Sequence, residues 1–248
     1  MAGCRLIDFV LHIDRSIRPL LSTALIAHVA VPAILAVTLH EAAHGYVARR
    51  CGDVTAHAQR RVSLNPLRHV DPIGTVLVPV ALFAASKFFW HSAWLFGWAK
   101  PVPVNEAALR NPRRDIFLVA AAGPAANLLL AFVCLLVFVL AREFDDYAML
   151  HSLYVAAAAG VLLNASLAGI NLIPLPPLDG GNMLRGLLPR ACWRSFARAQ
   201  PYTVALLLVW CVVDEARWVL RLIDLMVNLV GAPLGVDMAQ LLAAFDSE

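Results

Sequence analysis

The stretch AVPAILAVTLHEAAHGYVARR, residues 30–50, decides the fold, because an apolar run passes into ionisable residues without a break. The run begins near residue 21, and a run of about 20 apolar residues is long enough to cross a hydrocarbon core of about 30 Å as a helix. Its end carries His40, Glu41 and His44, which are costly inside a membrane segment unless they are paired. The stretch therefore predicts a membrane helix that ends in a functional site.

The composition of the whole chain also indicates a membrane protein. Of its 248 residues, 60% are hydrophobic and only 15% are charged, whereas soluble domains are roughly half apolar and a quarter charged. The net charge of +3 is too small to indicate nucleic acid as a partner, and the five cysteines lack the spacing of a zinc finger or a disulfide framework. We therefore predict an all-α polytopic protein whose surroundings are the lipid bilayer.

Two more apolar runs follow the first, at residues 116–141 and 152–172. With a first helix at about 21–48, they predict a core of three transmembrane helices. The polar residues 54–71 after the first helix are rich in β-compatible types and contain an Asn-Pro turn signal. This part predicts a short β-like element that is re-entrant or interfacial.

The chain divides into three predicted parts. Residues 1–20 form an N-terminal interfacial segment, and charged residues inside it argue against a cleavable signal peptide. Residues 21–190 form the membrane core that carries the site. Residues 191–248 supply a C-terminal membrane helix and an interfacial tail, with charged residues interrupting the apolar stretch 202–230.

The motif HEAAH, residues 40–44, places two imidazoles one helical turn apart on one face, where both reach a single ion. Glu41 lies beside that face and can take a proton from an activated water without being a ligand. A chance match of this kind occurs in about one chain in a few hundred. Its position at the end of an apolar span favours function, and the motif predicts a hydrolase that depends on Zn²⁺.

Asp179 is the best candidate for a third ligand. The sequence IPLPPLDGG, residues 173–181, closes the third apolar run, and its three prolines prevent a continuous helix. Gly180 and Gly181 then permit close approach of the backbone. Taken alone, the stretch is equally compatible with an interfacial turn in which Asp179 caps a helix. Two neutral imidazoles and a carboxylate hold a metal with a net positive charge, which activates water near neutral pH.

His40, His44 and Asp179 meet only if the first and third core helices are parallel. The segment 73–98 then makes no net crossing and re-enters, lies flat or forms a hairpin. Fourteen basic residues collect on the side of the site and four on the other, so the site is predicted at the cytoplasmic face of the cell membrane. The fourteen are Arg49, Arg50, Arg60, Arg61, Arg68, Lys87, Lys100, Arg110, Arg113, Arg114, Arg185, Arg190, Arg194 and Arg198.

Several stretches resemble the site-2 proteases, a family of intramembrane zinc metalloproteases that cut transmembrane substrates. HEAAHG at 40–45 looks like the family's metal-binding helix, and NLIPLPPLDG at 171–180 looks like its motif that ends in Asp-Gly. AGPAAN at 122–127 resembles the small-residue helix between them. LNPLRHVDPIG at 64–74 and FGWAKPVPVN at 96–105 look like the compact bacterial-type branch without PDZ or CBS domains.

The resemblance implies zinc ligation by His40, His44 and Asp179, with Glu41 as the general base and Asn171 as a polar contact for the substrate backbone. It also implies that the β-like element pairs with an unwound substrate by strand addition. Asn171 has an alternative role, because asparagine often joins helices in membranes. The predicted activity is hydrolysis of peptide bonds in or near the transmembrane segments of membrane proteins.

Two other functions are compatible with parts of the sequence. A metal transporter or metal sensor in the membrane uses the same ligands without hydrolysis, but it requires ionisable groups along a crossing path. The runs 116–141 and 152–172 contain few such groups beyond their ends. An inactive membrane scaffold has no need of Glu41, so the intact motif argues against it. The substrate and the oligomeric state are not determined by the sequence.

Overall fold

The structure is a computed structural model that describes residues 23–69, 71–78, 80–81, 85, 100–143, 148–189, 198, 202–203, 209 and 217–245. The predicted interfacial segment 1–20 lies outside the described residues, as do most of 73–98 and the first half of 202–230. Within the described residues all regular structure is helical. The helices are α1 (Thr23–Arg50), α2 (Thr55–Ala58), α3 (Pro112–Arg142), α4 (Ala148–Asn171), α5 (Asp179–Leu187), α6 (Arg217–Gly231) and α7 (Met238–Ala243).

Local sequence explains where the long helices begin and end. Helix α3 starts with Pro112, whose missing N–H costs nothing in the first turn, and carries Asp115 there. Helix α1 ends with Arg49 and Arg50, which favour the negative end of the helix dipole. Gly52 follows with φ +113°, a conformation that favours glycine and stops the helix.

Helices α1, α3 and α4 form the bundle that carries the site. Near its middle, Gly160 of α4 is close to both partners, because a Cβ built on it lies 2.6 Å from Cys134 Sγ and 3.8 Å from Pro32 Cβ. Further along α1, the neighbour on α3 is Gly123, which precedes Cys134 in the chain. Helix α3 is therefore antiparallel to α1. Helix α4 runs parallel to α1, so that the C-terminal ends of both approach the same place.

The outer face of α3 is apolar and exposed. Leu129 and Leu140 have exposed fractions of 66% and 67%, and exposed apolar side chains recur between them at helical spacing. Such a stripe suits lipid and is unfavourable in water. Among the described residues, Pro112–Arg142 and Leu150–Asn171 are long and apolar enough to cross a membrane.

The C-terminal helices pack along α4 of the bundle. Phe138 of α3 stacks on Tyr154 of α4 with ring centroids 4.7 Å apart. Met226 and Val227 of α6 join the same buried cluster. Gly169 lets α6 approach α4, since a Cβ there meets Leu222 at 3.0 Å. The predicted C-terminal span remains a prediction.

The predicted β-like element is not confirmed. Residues 55–58 form the short helix α2, and Pro66–Arg68 form a 3-10 turn in which the Asn65 side chain accepts a hydrogen bond from the Leu67 N–H. Between them Arg60 adopts φ +55°, which breaks any extended course. Asn65 and Asp71 thus act as turn formers, and their local hydrogen bonds outweigh the β-propensity of their neighbours.

Candidate metal centre

Three side chains from two distant parts of the chain converge toward the end of the bundle at which α1 and α4 terminate. The Nε2 atoms of His40 and His44 lie 3.2 and 3.3 Å from Oδ2 of Asp179. The two Nε2 atoms are 3.0 Å apart. All three ligand atoms lie within 4.8 Å of one another, and both histidines are buried. The structure brings together the three residues that the sequence singled out as ligands.

The other nitrogen of each imidazole is already used. Nδ1–H of His40 donates to Oδ1 of Asn127 at 2.5 Å, and Nδ1–H of His44 donates to the carbonyl oxygen of Val119 at 2.7 Å. A neutral imidazole carries one N–H, so both Nε2 atoms present lone pairs. Such contacts are the usual way in which a protein orients metal-binding histidines.

This arrangement fits a cation. Oδ2 of Asp179 is buried and has no hydrogen-bond partner, although two imidazole nitrogens face it. Three lone pairs therefore meet without a proton between them, which is unfavourable unless a positive ion lies among them. Two nitrogen ligands and one carboxylate are the set found in catalytic zinc sites with an open fourth position.

Gly123 of α3 provides the space for the two imidazoles. A Cβ built on this residue lies 2.6 Å from Cε1 of His40 and 2.6 Å from Cε1 of His44. Any larger residue has to displace both rings. The small residue that the sequence places between the two motifs is therefore a direct neighbour of the site.

Asp179 is held by a tightly packed turn. It is the first residue of α5, and the residues before it fold back on the helix start. A Cβ on Gly181 lies 2.6 Å from both the Leu175 carbonyl carbon and the Pro176 nitrogen, and one on Gly180 collides with the carbonyl oxygens of Leu172 and Ile173. Backbone approaches of this kind require glycine, so the turn has little freedom to shift the carboxylate.

Glu41 is held by a backbone segment that the sequence analysis did not connect with the site. Oε2 of Glu41 accepts a hydrogen bond from the Val102 N–H at 2.8 Å. Pro101 and Pro103 flank this donor and restrict the backbone conformation of the segment. The contact fixes one carboxylate oxygen next to the histidine pair.

Residues 100–110, which we call the strap, follow α1 from Glu41 to its end. The Asn105 N–H donates to Oδ2 of Asp53 at 2.6 Å, and the Arg110 N–H donates to the Cys51 carbonyl oxygen at 3.0 Å. Asp53 is fully buried. Burial alone raises the pKa of this carboxyl, but hydrogen bonds from Thr55 and Asn105 hold the pKa below its usual value. The carboxylate therefore stays charged and anchors the strap.

A second connection joins the strap to the Asp179 side of the site. Arg185 of α5 forms an ion pair with Glu106 of the strap. Arg113, in the first turn of α3 just after the strap, donates to the Leu187 carbonyl oxygen at 2.9 Å. The strap thus contacts both elements that supply ligands. Sequence spacing gives no signal for these contacts, because they link residues about 80 positions apart.

Asn171, the predicted contact for substrate backbone, is the last residue of α4. Its Nδ2 donates to the Leu167 carbonyl oxygen at 3.0 Å, within its own helix. Its role toward a substrate stays a prediction. Asn127, in contrast, was part of a recognised small-residue motif without a role, and the structure places it against His40. The sequence feature that pointed to a role for Asn127 was its polar amide inside an apolar run.

Helices long and apolar enough to cross a membrane, a buried His-His-Asp cluster and a neighbouring glutamate together are typical of a metal-dependent hydrolase of the membrane. Comparison with known proteins agrees with this class. Residues 142–212 match the model of peptidase family M50. The chain is 36% identical over 205 residues to "Putative zinc metalloprotease YwhC" of Bacillus subtilis, covering 79% of this chain and 85% of the relative.

A more distant relative is "Putative zinc metalloprotease Rip2" of Mycolicibacterium smegmatis, which is 27% identical over 210 residues, covering 84% of this chain and 76% of that protein. No solved structure matches the chain. The chain belongs to peptidase family M50, the site-2 proteases. The resemblance drawn from the motifs is thereby confirmed.

Proposed function

We propose that this protein hydrolyses peptide bonds in or near the transmembrane segments of membrane proteins, with His40, His44 and Asp179 as its zinc ligands and Glu41 as its general base. The family and the names of its relatives confirm the broader class, a zinc-dependent intramembrane protease. The observation that carries the assignment of residues is the convergence of three lone pairs beside Glu41.

Each side chain of the site has a distinct task. Zinc, when bound, polarises the scissile carbonyl and makes a water nucleophilic near neutral pH. Glu41 takes the proton of the attacking water and returns it to the amine that leaves. The Val102 N–H orients the Glu41 carboxylate for both transfers. The backbone carbonyl of Val119 keeps His44 in the tautomer that binds metal.

The substrate has to be unwound before it is cut. A transmembrane helix satisfies its backbone groups internally, so hydrolysis requires other hydrogen-bond partners for the exposed peptide. Asn171, at the end of α4, supplies one such partner in our proposal. Its amide lies at the same end of the bundle as Asp179.

We also propose a multi-pass arrangement in the cell membrane with the site near the cytoplasmic face. The excess of basic residues around the site supports this orientation. Arg49 and Arg50 at the end of α1 and Arg110 of the strap lie together around one open cavity. The division into residues 1–20, a core at 21–190 and a C-terminal part at 191–248 is part of the same proposal.

Reconstitution tests the function directly. The purified full chain is placed in lipid vesicles with single-span substrates, with and without a zinc chelator. We expect cleavage by the parent protein, loss of cleavage with chelator and recovery when zinc is restored. Glu41→Gln is expected to lower turnover by at least about 100-fold, the lower range for loss of a general base.

The zinc content separates a lost base from a lost site. Glu41→Gln should retain zinc at the parent's stoichiometry, because Glu41 is not a ligand. Glu143→Gln is the matched control, since Glu143 is exposed beyond the far end of α3 and should cut normally. Cleavage by Glu41→Gln at the parent's rate excludes the proposed base.

The transport alternative is not favoured by the described residues. Among the described residues, the buried polar side chains of the bundle beyond His40 are those of Thr38, Asn127 and Asn164, and all three are neutral. A path for a divalent cation requires oxygen or nitrogen ligands with enough charge to replace its water. Zinc uptake into sealed vesicles, without cleavage of any substrate, is the result that would restore this alternative.

A further inference from the structure

A chain of buried amides extends from His40 into the centre of the bundle. Nδ2 of Asn127 donates to Oδ1 of Asn164 at 2.8 Å, and Nδ2 of Asn164 donates to the Gly160 carbonyl oxygen at 2.8 Å. Asn127 is 1% exposed and Asn164 is fully buried. Amides without hydrogen-bond partners are unfavourable in such a place, so each contact matters for stability and orientation.

Backbone carbonyls fix the direction of the hydrogen bonds that the Asn127 and Asn164 amides make. Asn127 Nδ2 also donates to the Ala36 carbonyl oxygen, at 3.3 Å, so both of its N–H groups are used. Rotating the Asn127 amide by 180° would place its oxygen against two acceptors. Asn164 cannot rotate in compensation, because the Gly160 carbonyl accepts its amide. Oδ1 of Asn127 must therefore face His40.

We propose that Asn164 is a positioning residue that acts through Asn127 to hold His40 in the tautomer with the proton on Nδ1. That tautomer leaves the lone pair on Nε2, toward His44 and Asp179. This inference rests on the proposed function in one respect, the assignment of His40 as a zinc ligand. The three helices of the bundle are thus joined by a single directional path of hydrogen bonds.

Zinc affinity is the first readout. Contacts behind a metal ligand typically contribute 10- to 100-fold to affinity, so Asn127→Leu should weaken zinc binding by about 10- to 100-fold in competition with a chelator. Asn164→Leu acts one step further away and should weaken zinc binding by about 5- to 10-fold, at or just below the lower limit of that range. Both measurements use the full chain in lipid.

Two further variants separate a directional role from simple packing. Asn164→Asp should restore zinc affinity to within about twofold of the parent, because a buried neutral carboxyl still donates to Gly160 and accepts from Asn127. Ser166→Ala is the matched control. Ser166 bonds the carbonyl four residues back on the same helix, as Asn164 does, but its contact does not lead to the site.

The tautomer itself is the second readout and needs neither zinc nor activity. In ¹⁵N-histidine-labelled, zinc-free protein, the His40 signals are assigned by their loss in His40→Gln. The parent should show a protonated Nδ1 on His40. Asn164→Leu should move part of the population to the opposite tautomer, while Asn164→Asp and Ser166→Ala should match the parent.

The two proposals fail in different ways. If the protein cuts no substrate but Asn164→Leu shifts the His40 tautomer, the proposed proteolysis is wrong and the positioning role of Asn164 stands. If cleavage is zinc-dependent but Asn164→Leu leaves the His40 tautomer and the zinc affinity unchanged, the positioning role of Asn164 is overturned. An equal loss of zinc in Ser166→Ala and Asn164→Leu also overturns it, because general loosening of α4 then explains the effect.

Discussion

The two parts of the chain that supply ligands differ in what holds them. His40 and His44 lie on an uninterrupted helix, so their separation follows from helical geometry and needs only the space at Gly123. Asp179 lies after a turn, residues 172–178, whose shape depends on close backbone approaches at Gly180 and Gly181. One half of the site is therefore determined locally, and the other half is determined by packing.

Replacing the carboxylate should produce the largest effect and tests this difference. Asp179→Ala removes a ligand outright, so zinc affinity should fall by more than about 100-fold, beyond the range of contacts behind the ligands. Asp179→Glu keeps the charge but adds a methylene that the packed turn cannot absorb. We expect zinc affinity for this variant to lie between those of the parent and Asp179→Ala, measured by chelator competition.

Asp237→Glu is the matched control for that pair. Asp237 also lies at the start of a helix, as the N-cap of α7, but it is exposed and its side chain accepts from the nearby Gln240 N–H. It should leave zinc affinity unchanged. Parent-like zinc binding by Asp179→Glu would show that the turn adapts, and the distinction between a packed half and a helical half would then be lost.

The same distinction explains what the sequence predicted. The HEAAH motif placed His40, Glu41 and His44 because a helical period needs no tertiary information. The parallel arrangement of α1 and α4 followed from asking how Asp179 could reach them. Both arguments used charges in apolar runs, which are rare enough to carry information.

The remaining features depend on contacts that a pattern does not encode. The hydrogen bond from Val102 to Glu41 uses a backbone N–H, so the side chain at 102 gives no signal. The predicted β-like element is not confirmed for a related reason, since β-propensity reflects packing against neighbouring strands more than an intrinsic preference. At Arg60 and Asn65, turn geometry prevailed.

The strap offers a second, smaller perturbation, which acts on Glu41 and not on the ligands. Val102→Pro deletes the N–H that Oε2 of Glu41 accepts. Hydrogen bonds to charged groups contribute about 1.5–3 kcal/mol, so kcat should fall roughly 10- to 100-fold. Zinc content and KM should change little, because the contact involves neither ligands nor the substrate.

Val104→Pro controls for the added ring. Both positions follow a proline in the same extended segment, and Val104 is more exposed than Val102, which is buried. Turnover by Val104→Pro should remain within about threefold of the parent, a difference below 1 kcal/mol. If both variants lose activity equally, the strap matters through its course and not through its contact with Glu41.

The smallest effect should come from Asp53, where the strap is attached to the end of α1. Its carboxylate has a pKa held below the usual value by hydrogen bonds from Thr55 and Asn105 that outweigh its burial. A group of this kind stabilises the folded state fully above its unfolded pKa of about 3.9, and the contribution is lost as the pH falls through the folded pKa. Hydrogen exchange of residues 102–105, corrected for intrinsic rates, should therefore accelerate between pH 5 and pH 3 in the parent.

Asp53→Asn should remove most of that acid dependence. It should also lower the protection of residues 102–105 against hydrogen exchange at pH 6 by roughly tenfold, equivalent to about 1.4 kcal/mol. One acceptor oxygen remains in this variant, which is why the loss is modest. Asp237→Asn, at the exposed start of α7, should keep the parent's acid dependence. If Asp53→Asn also keeps the parent's acid dependence, the contacts with Glu41 and Arg185 attach the strap. The two regions that supply ligands are then coupled through the site itself and not through the end of α1.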